Sequence, residues 1–230
     1  TADYVTNQAN SASQVSTLAA TANSVANVSA TAASIGNSYA LDAAANVVAD
    51  LGQVNEGAGT STVATVYSAV SDVTETAASI GNSGSFNADG ALLDVAVDQN
   101  NLGNQTAALL TVQNMVAEAT STAASIGNSL SVEMPGGSKI TATQNNAGTM
   151  IADLTGTIAS TVDYTATAAA IGNSYALTSL DSGLAGNVSS SLNQWNGAGQ
   201  IAKVTANIAA STNAAATAAA IGNSGSINVE

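Results

Sequence analysis

The reactive or ligating side chains of this 230-residue sequence are almost all carboxylates: fifteen Asp and Glu stand against two cations, Lys139 and Lys203, with no His and no Cys. Without an imidazole there is no nucleophilic triad of the Ser-His-Asp kind, and the commonest transition-metal ligand is missing. Without thiols there are no disulfides and no thiolate metal sites. Asp94 with Asp98, or Asp72 with Glu75, has the residue type that glycoside cleavage needs. The one Trp, five Tyr and one Phe, however, leave little aromatic surface to seat a sugar chain beside them. The Gly-Asn-Ser segments lack the Gly-x-x-x-x-Gly-Lys pattern of a phosphate loop. This inventory predicts a protein that is not an enzyme and carries no cofactor. A net charge of -13 also excludes nucleic acid as a partner, because phosphate binding depends on Lys and Arg.

Amide side chains supply the chemistry that recurs. A Gln-x-Asn triplet occurs five times, at Gln8 and Asn10, Gln53 and Asn55, Gln99 and Asn101, Gln144 and Asn146, and Gln194 and Asn196. An octapeptide, Thr-Ala-Ala-(Ser/Ala)-Ile-Gly-Asn-Ser, also occurs five times, containing Ile35-Gly36-Asn37, Ile80-Gly81-Asn82, Ile126-Gly127-Asn128, Ile171-Gly172-Asn173 and Ile221-Gly222-Asn223. Its Ile residues are spaced by 45, 46, 45 and 50, and each follows a triplet Gln by 27. Two apolar columns keep the same register: Leu18, Val63, Leu109, Leu154 and Val204 precede the Ile, and Leu41, Phe86, Val132, Leu177 and Ile227 follow it. The chain therefore reads as one repetitive domain with units at about 1–45, 46–90, 91–136, 137–181 and 182–230. Its length variation falls at Thr178 to Asn193, and its single Pro lies in the turn-forming Met134-Pro135-Gly136-Gly137.

Repeats this poor in large side chains must bury their faces against one another. Val95, Val97, Gln99 and Asn101 alternate with a period of two, which predicts a strand. Val63, Val66, Val70, Val73, Ala77 and Ile80 fall at spacings of three and four, which suits a helix. The Val, Thr, Ser and Asn of that stretch favour a strand instead. A Gly or Ala follows each triplet at Ala12, Gly57, Gly103, Gly148 and Ala198, 24 residues before the octapeptide Gly, so each unit looks internally doubled. The fold expected is all-β: a parallel β-solenoid of about ten coils in five two-coil repeats, with an α/β solenoid as the alternative. In it the triplets form stacking ladders, Gln on Gln and Asn on Asn, and the Ile-Gly-Asn segments act as the turn motif.

Gln99-Asn100-Asn101-Leu102-Gly103-Asn104-Gln105-Thr106-Ala107 and Ile126-Gly127-Asn128-Ser129 resemble the curlin repeat family, the subunits of bacterial functional amyloid fibres. The resemblance implies a secreted cross-β protein of a biofilm or holdfast-type surface fibre. The opening Thr1-Ala2-Asp3-Tyr4 has neither Met nor an apolar signal region, as expected after removal of a secretion signal. No apolar run reaches the ~20 residues that span a bilayer as a helix, so no membrane insertion is expected. From Asn223 to Gln8 of a following copy the separation is 15, against 16, 17, 16 and 21 within the chain. This register predicts head-to-tail stacking of copies into an extracellular structural fibre for matrix, attachment or adhesion, the partner being another copy of the chain. The alternative is a monomeric binding module for polysaccharide or ice. Thr31, Thr76, Thr122, Thr167 and Thr217 form the row that ice would use, though on two-coil units it recurs only on every second coil. The acidic column Asn27, Asp72, Glu118, Asp163 and Asn213 is expected as a solvated stripe rather than a Ca2+ site, its members standing ~9.6 Å apart on such units.

Overall fold

The computed structural model describes residues 2–88, 90–180 and 188–229. Its strands, in chain order, are β1 (Ala2–Asn10), β2 (Gln14–Asn23), β3 (Asn27–Ala43), β4 (Val47–Asn55), β5 (Gly59–Ala88), β6 (Leu93–Asn101), β7 (Gln105–Pro135), β8 (Lys139–Asn146), β9 (Met150–Ile158), β10 (Thr161–Leu180), β11 (Ser189–Asn196), β12 (Gln200–Ile208) and β13 (Ser211–Val229). The chain is all-β, every pairing is parallel, and there is no helix among the described residues. One sheet runs β1-β4-β6-β8-β11, and the remaining strands form a second.

Each strand pairs with its equivalent one whole unit away. Gln8, Gln53, Gln99, Gln144 and Gln194 lie side by side, and so do Ile35, Ile80, Ile126, Ile171 and Ile221. One coil is therefore one full unit, and the solenoid has five coils rather than the ten expected. At ~4.8 Å per coil the stack rises about 24 Å. The resemblance between half-units is real, but it serves opposition: triplet and octapeptide face each other across the interior instead of stacking. The full-unit register puts like on like at nearly every position, whereas a half-unit register would set amides on Ala.

The stretch read as helix-like is strand within β5. Val63, Val70, Val73 and Ala77 point inward, while Val66 is 48% exposed. Its spacing mimics a helix because the alternation slips at the coil's corner, where Ala69 holds a left-handed φ of 54°. Ser24 (φ 56°) and Met115 (φ 54°) occupy the same corner of the first and third coils. The turn at Pro135 is present, with Ser138 N donating to Pro135 O at 3.3 Å and Gly137 at φ 86°. The extra residues of the longest unit lie largely outside the described residues, at 181–187, as does the boundary expected there.

The interior has two apolar lobes. The column of Val63, Leu109 and Leu154 fills the first, together with Ala77, Ala123, Tyr67 and Tyr164. Phe86, Val132 and Leu177 fill the second, against Leu51, Leu93 and Val95 of the five-stranded sheet. Between the lobes the coil narrows to a polar waist.

Candidate functional site

Three amide ladders occupy the waist. The triplet Gln residues point inward from β1, β4, β6, β8 and β11, and each donates from Nε2 to the Oε1 of the coil before it. Gln53 reaches Gln8 at 2.7 Å, and Gln99 to Gln53, Gln144 to Gln99 and Gln194 to Gln144 are each 2.8 Å. The second proton crosses the waist to the octapeptide Ser carbonyl: Gln8 to Ser38 O, Gln53 to Ser83 O, Gln99 to Ser129 O, Gln144 to Ser174 O and Gln194 to Ser224 O, at 2.8–3.0 Å.

The triplet Asn residues run the other way. Asn10 donates to Asn55 Oδ1, Asn55 to Asn101, Asn101 to Asn146 and Asn146 to Asn196, at 2.6–2.8 Å. Their second protons satisfy Ala12 O, Gly57 O, Gly103 O, Gly148 O and Ala198 O two residues on. The octapeptide Asn residues form the third ladder in the same direction, from Asn37 through Asn82, Asn128 and Asn173 to Asn223 at 2.7–2.8 Å. Asn37, Asn128 and Asn173 also donate back across the waist to Val54 O, Asn145 O and Trp195 O at 2.8 Å. In the inner coils Gln53, Asn55, Asn82, Gln99, Asn101, Asn128, Gln144, Asn146 and Asn173 are fully buried. Such groups are tolerated because each amide nitrogen finds an acceptor and each amide oxygen a donor.

The Ile-Gly-Asn segments are not turns. They lie inside β3, β5, β7, β10 and β13, with Ile turned outward and Gly and Asn both inward. Gly is required because the opposite wall comes too close for a side chain. A Cβ at Gly81 would collide with Asn101 Oδ1 and with Gly127 O, and one at Gly36 with Asn55 Oδ1. The 27-residue interval from triplet Gln to octapeptide Ile is thus the path from one wall of the waist to the other.

Two further columns change meaning once the coil is one unit long. Thr31, Thr76, Thr122, Thr167 and Thr217 recur on every coil, not on every second one. Asn27, Asp72, Glu118, Asp163 and Asn213 are direct neighbours, with Asn213 Nδ2 donating to Asp163 Oδ1 at 2.7 Å. The ~9.6 Å separation expected for that stripe is therefore halved. Among the described residues no three metal-binding side chains gather into a cluster.

A buried polar nest escaped the sequence reading. Three first-lobe columns that hold Ala20, Ala22 and Ala30 in the first coil hold Thr65, Tyr67 and Glu75 in the second and Thr111, Gln113 and Ser121 in the third. Glu75 is fully buried and accepts from Thr65 Oγ1, and from Ser121 Oγ at 2.8 Å. Burial pushes its carboxyl above the usual range, against the pull of those hydroxyls. Burial first, and the Glu75 charge second, push Tyr67 up to about 12. The signal was an acid and a Gln in columns that begin with Ala, legible only once the columns were known.

Residues 67–230 match the family described as holdfast attachment protein D, HfaD. No curated protein and no solved structure matches the chain significantly. The match runs from the second coil to the end of the sequence, and the chain belongs to this family of bacterial surface-attachment proteins.

Proposed function

We propose that this surface-attachment protein acts mechanically, as an extracellular subunit whose copies stack head to tail into a filament through the amide ladders. The observation that carries this reading is the direction of the rungs. Every triplet Gln donates toward the first coil, and both Asn ladders donate toward the last. On the first described coil this leaves one N–H of Gln8 and the Oδ1 of Asn37 without a rung among the described residues. On the last it leaves Gln194 Oε1 and one N–H of Asn223. The open groups match in kind and in column: a Gln8 laid against a Gln194 donates to it, and an Asn223 donates to an Asn37. A coil supplied by a second copy repeats a rung already made four times in each ladder, and the contact does not close on itself. The product has its strands across the filament axis, in the style of the curlin fibres.

Electron micrographs and sedimentation of the purified chain test this. Gln8→Leu and Asn223→Leu each remove an end-face group together with one rung inside the chain, Gln53 to Gln8 or Asn173 to Asn223, and should shorten or abolish filaments while leaving the β-type circular dichroism intact. A wild-type chain that stays monodisperse at high concentration, or variants that polymerise equally well, overturn the reading.

A second reading, binding of ice, is favoured by one observation. The outward Thr row recurs on each coil, flanked two residues earlier by Thr74, Thr120 and Thr165. Absence of ice-recrystallisation inhibition by dispersed monomer disposes of it.

A further inference from the structure

The geometry points to a carbohydrate-binding groove on the outer face of the five-stranded sheet, built around Trp195, that seats a neutral sugar ring of an extracellular glycan. The groove is shallow and open, with about 420 Å3 of space, and is lined by Thr143, Gln144, Asn145, Asn193 and Trp195. That volume lies within the ~300–1,000 Å3 typical of small-molecule sites. Trp195 and Asn193 of β11 lie directly beside Asn145 and Thr143 of β8, so two columns on two adjacent coils form the floor.

Trp195 is the single Trp of the chain, and it is 56% exposed on a face where Ala9, Val54 and Asn100 occupy its column in the first three coils. Burial within the protein does not explain its presence there. Its backbone is held, and its ring leans on the chain. The six-membered end lies over Gly197, where a Cβ would collide with it, and the Trp195 carbonyl accepts from Asn173 Nδ2 at 2.8 Å. A flat aromatic surface is thus presented to solvent from a held backbone.

Beside Trp195 stands an acceptor in need of a donor, which a ligand meets once the Asn145 side chain turns outward. Asn145 Nδ2 is spent on Asn100 Oδ1 at 3.1 Å, while Asn145 Oδ1 is shielded from solvent and has no partner. None of the lining residues carries a charge, in a chain of net charge -13. The ligand chemistry that answers an aromatic plane, an amide acceptor and a neutral wall is a pyranose, which has an apolar C–H face and a rim of hydroxyls. A charged sugar finds no counter-ion there.

Because Trp195 is the sole Trp, tryptophan emission excited beyond the tyrosine absorption reads this site alone. The full chain, at a concentration below any assembly, is titrated with cellotetraose, chitotetraose and mannotetraose, and with tetragalacturonate as the anionic comparison. At least one neutral oligomer should give a saturable change in emission, and the anionic one none. By calorimetry, Trp195→Ala and Asn145→Ala should weaken that binding about tenfold or more, and Trp195→Phe less. Unaltered circular dichroism shows that each variant is folded. The inference is overturned if no neutral oligomer gives a saturable signal, or if Trp195→Ala binds as the wild type does. It is also overturned if Trp195 emission follows protein concentration but not sugar, which makes Trp195 part of a stacking contact instead. Gln8→Leu separates this proposal from the filament reading, since it should leave sugar binding unchanged.

Discussion

Replacing Asn101 by Leu keeps the branched shape of the side chain and deletes its part in the ladder at the centre of the stack. Asn101 is fully buried; it accepts from Asn55 Nδ2 at 2.8 Å and donates to Asn146 Oδ1 at 2.7 Å and to Gly103 O at 2.9 Å. In the variant Gly103 O keeps Gln105 Nε2 at 3.3 Å, but the Asn55 N–H and the Asn146 Oδ1 are stranded. Two buried orphans cost about 2 to 6 kcal/mol together. The gain from a more apolar side chain, about 2 kcal/mol, is offset by a comparable overpacking cost, because the Asn101 amide already lies against Gly81 with no room for a methyl. The expected loss is therefore about 2 to 6 kcal/mol, a large part of the ~5–15 kcal/mol of an ordinary domain. Urea unfolding followed by far-ultraviolet circular dichroism reads it as a fall in midpoint at unchanged slope. The outward-facing Asn114→Leu serves as the control and should stay within about 0.5 kcal/mol of wild type. If Asn101→Leu does the same, the ladders are not what holds the coils together, and the account given above of both fold and filament fails.

Glu75 gives the protein a pH dependence of defined sign. An acid whose folded value is raised holds its proton more tightly when folded, so its contribution to stability is full below about 4.5 and is lost as pH rises from there through the folded value. Glu75→Gln should flatten that decline and raise the melting temperature at neutral pH; an unchanged profile refutes the assignment. At the coil corner, Met115→Gly removes a left-handed strain on a side chain that is 58% exposed, and should stabilise the fold by about 1 kcal/mol in thermal unfolding. A loss of stability instead would mean that the Met115 side chain matters more than its backbone.

What was legible in the sequence was whatever repeats. Gln99 and Asn101 read as inward because Val95 and Val97 set the phase before them, and the columns of Leu109 and Val132 fell into the two lobes. The length of a coil was not legible. An amide motif and a Gly-Asn motif half a unit apart suit two stacked coils as well as two facing walls, and only the pairing of Gln53 with Gln99 decides between them. The corner at Ala69 hid the strand in β5 by shifting its alternation. The nest around Glu75 was hidden because its members come from positions up to 56 residues apart, Thr65 to Ser121, and none belongs to a repeated motif. Gly36 was legible as special but assigned the wrong reason, a bend rather than the close approach of two walls.

The parallel register also decides how the molecule carries force. Backbone bonds and amide rungs between coils all point along the stacking axis, so tension spread over a whole end face loads the full circumference of every coil boundary at once. Tension applied through one end of the chain instead peels a single strand and breaks its bonds in succession. Held between two surfaces, the stack resists best when strain passes from face to face, and gives way most easily wherever a lone thread must bear it.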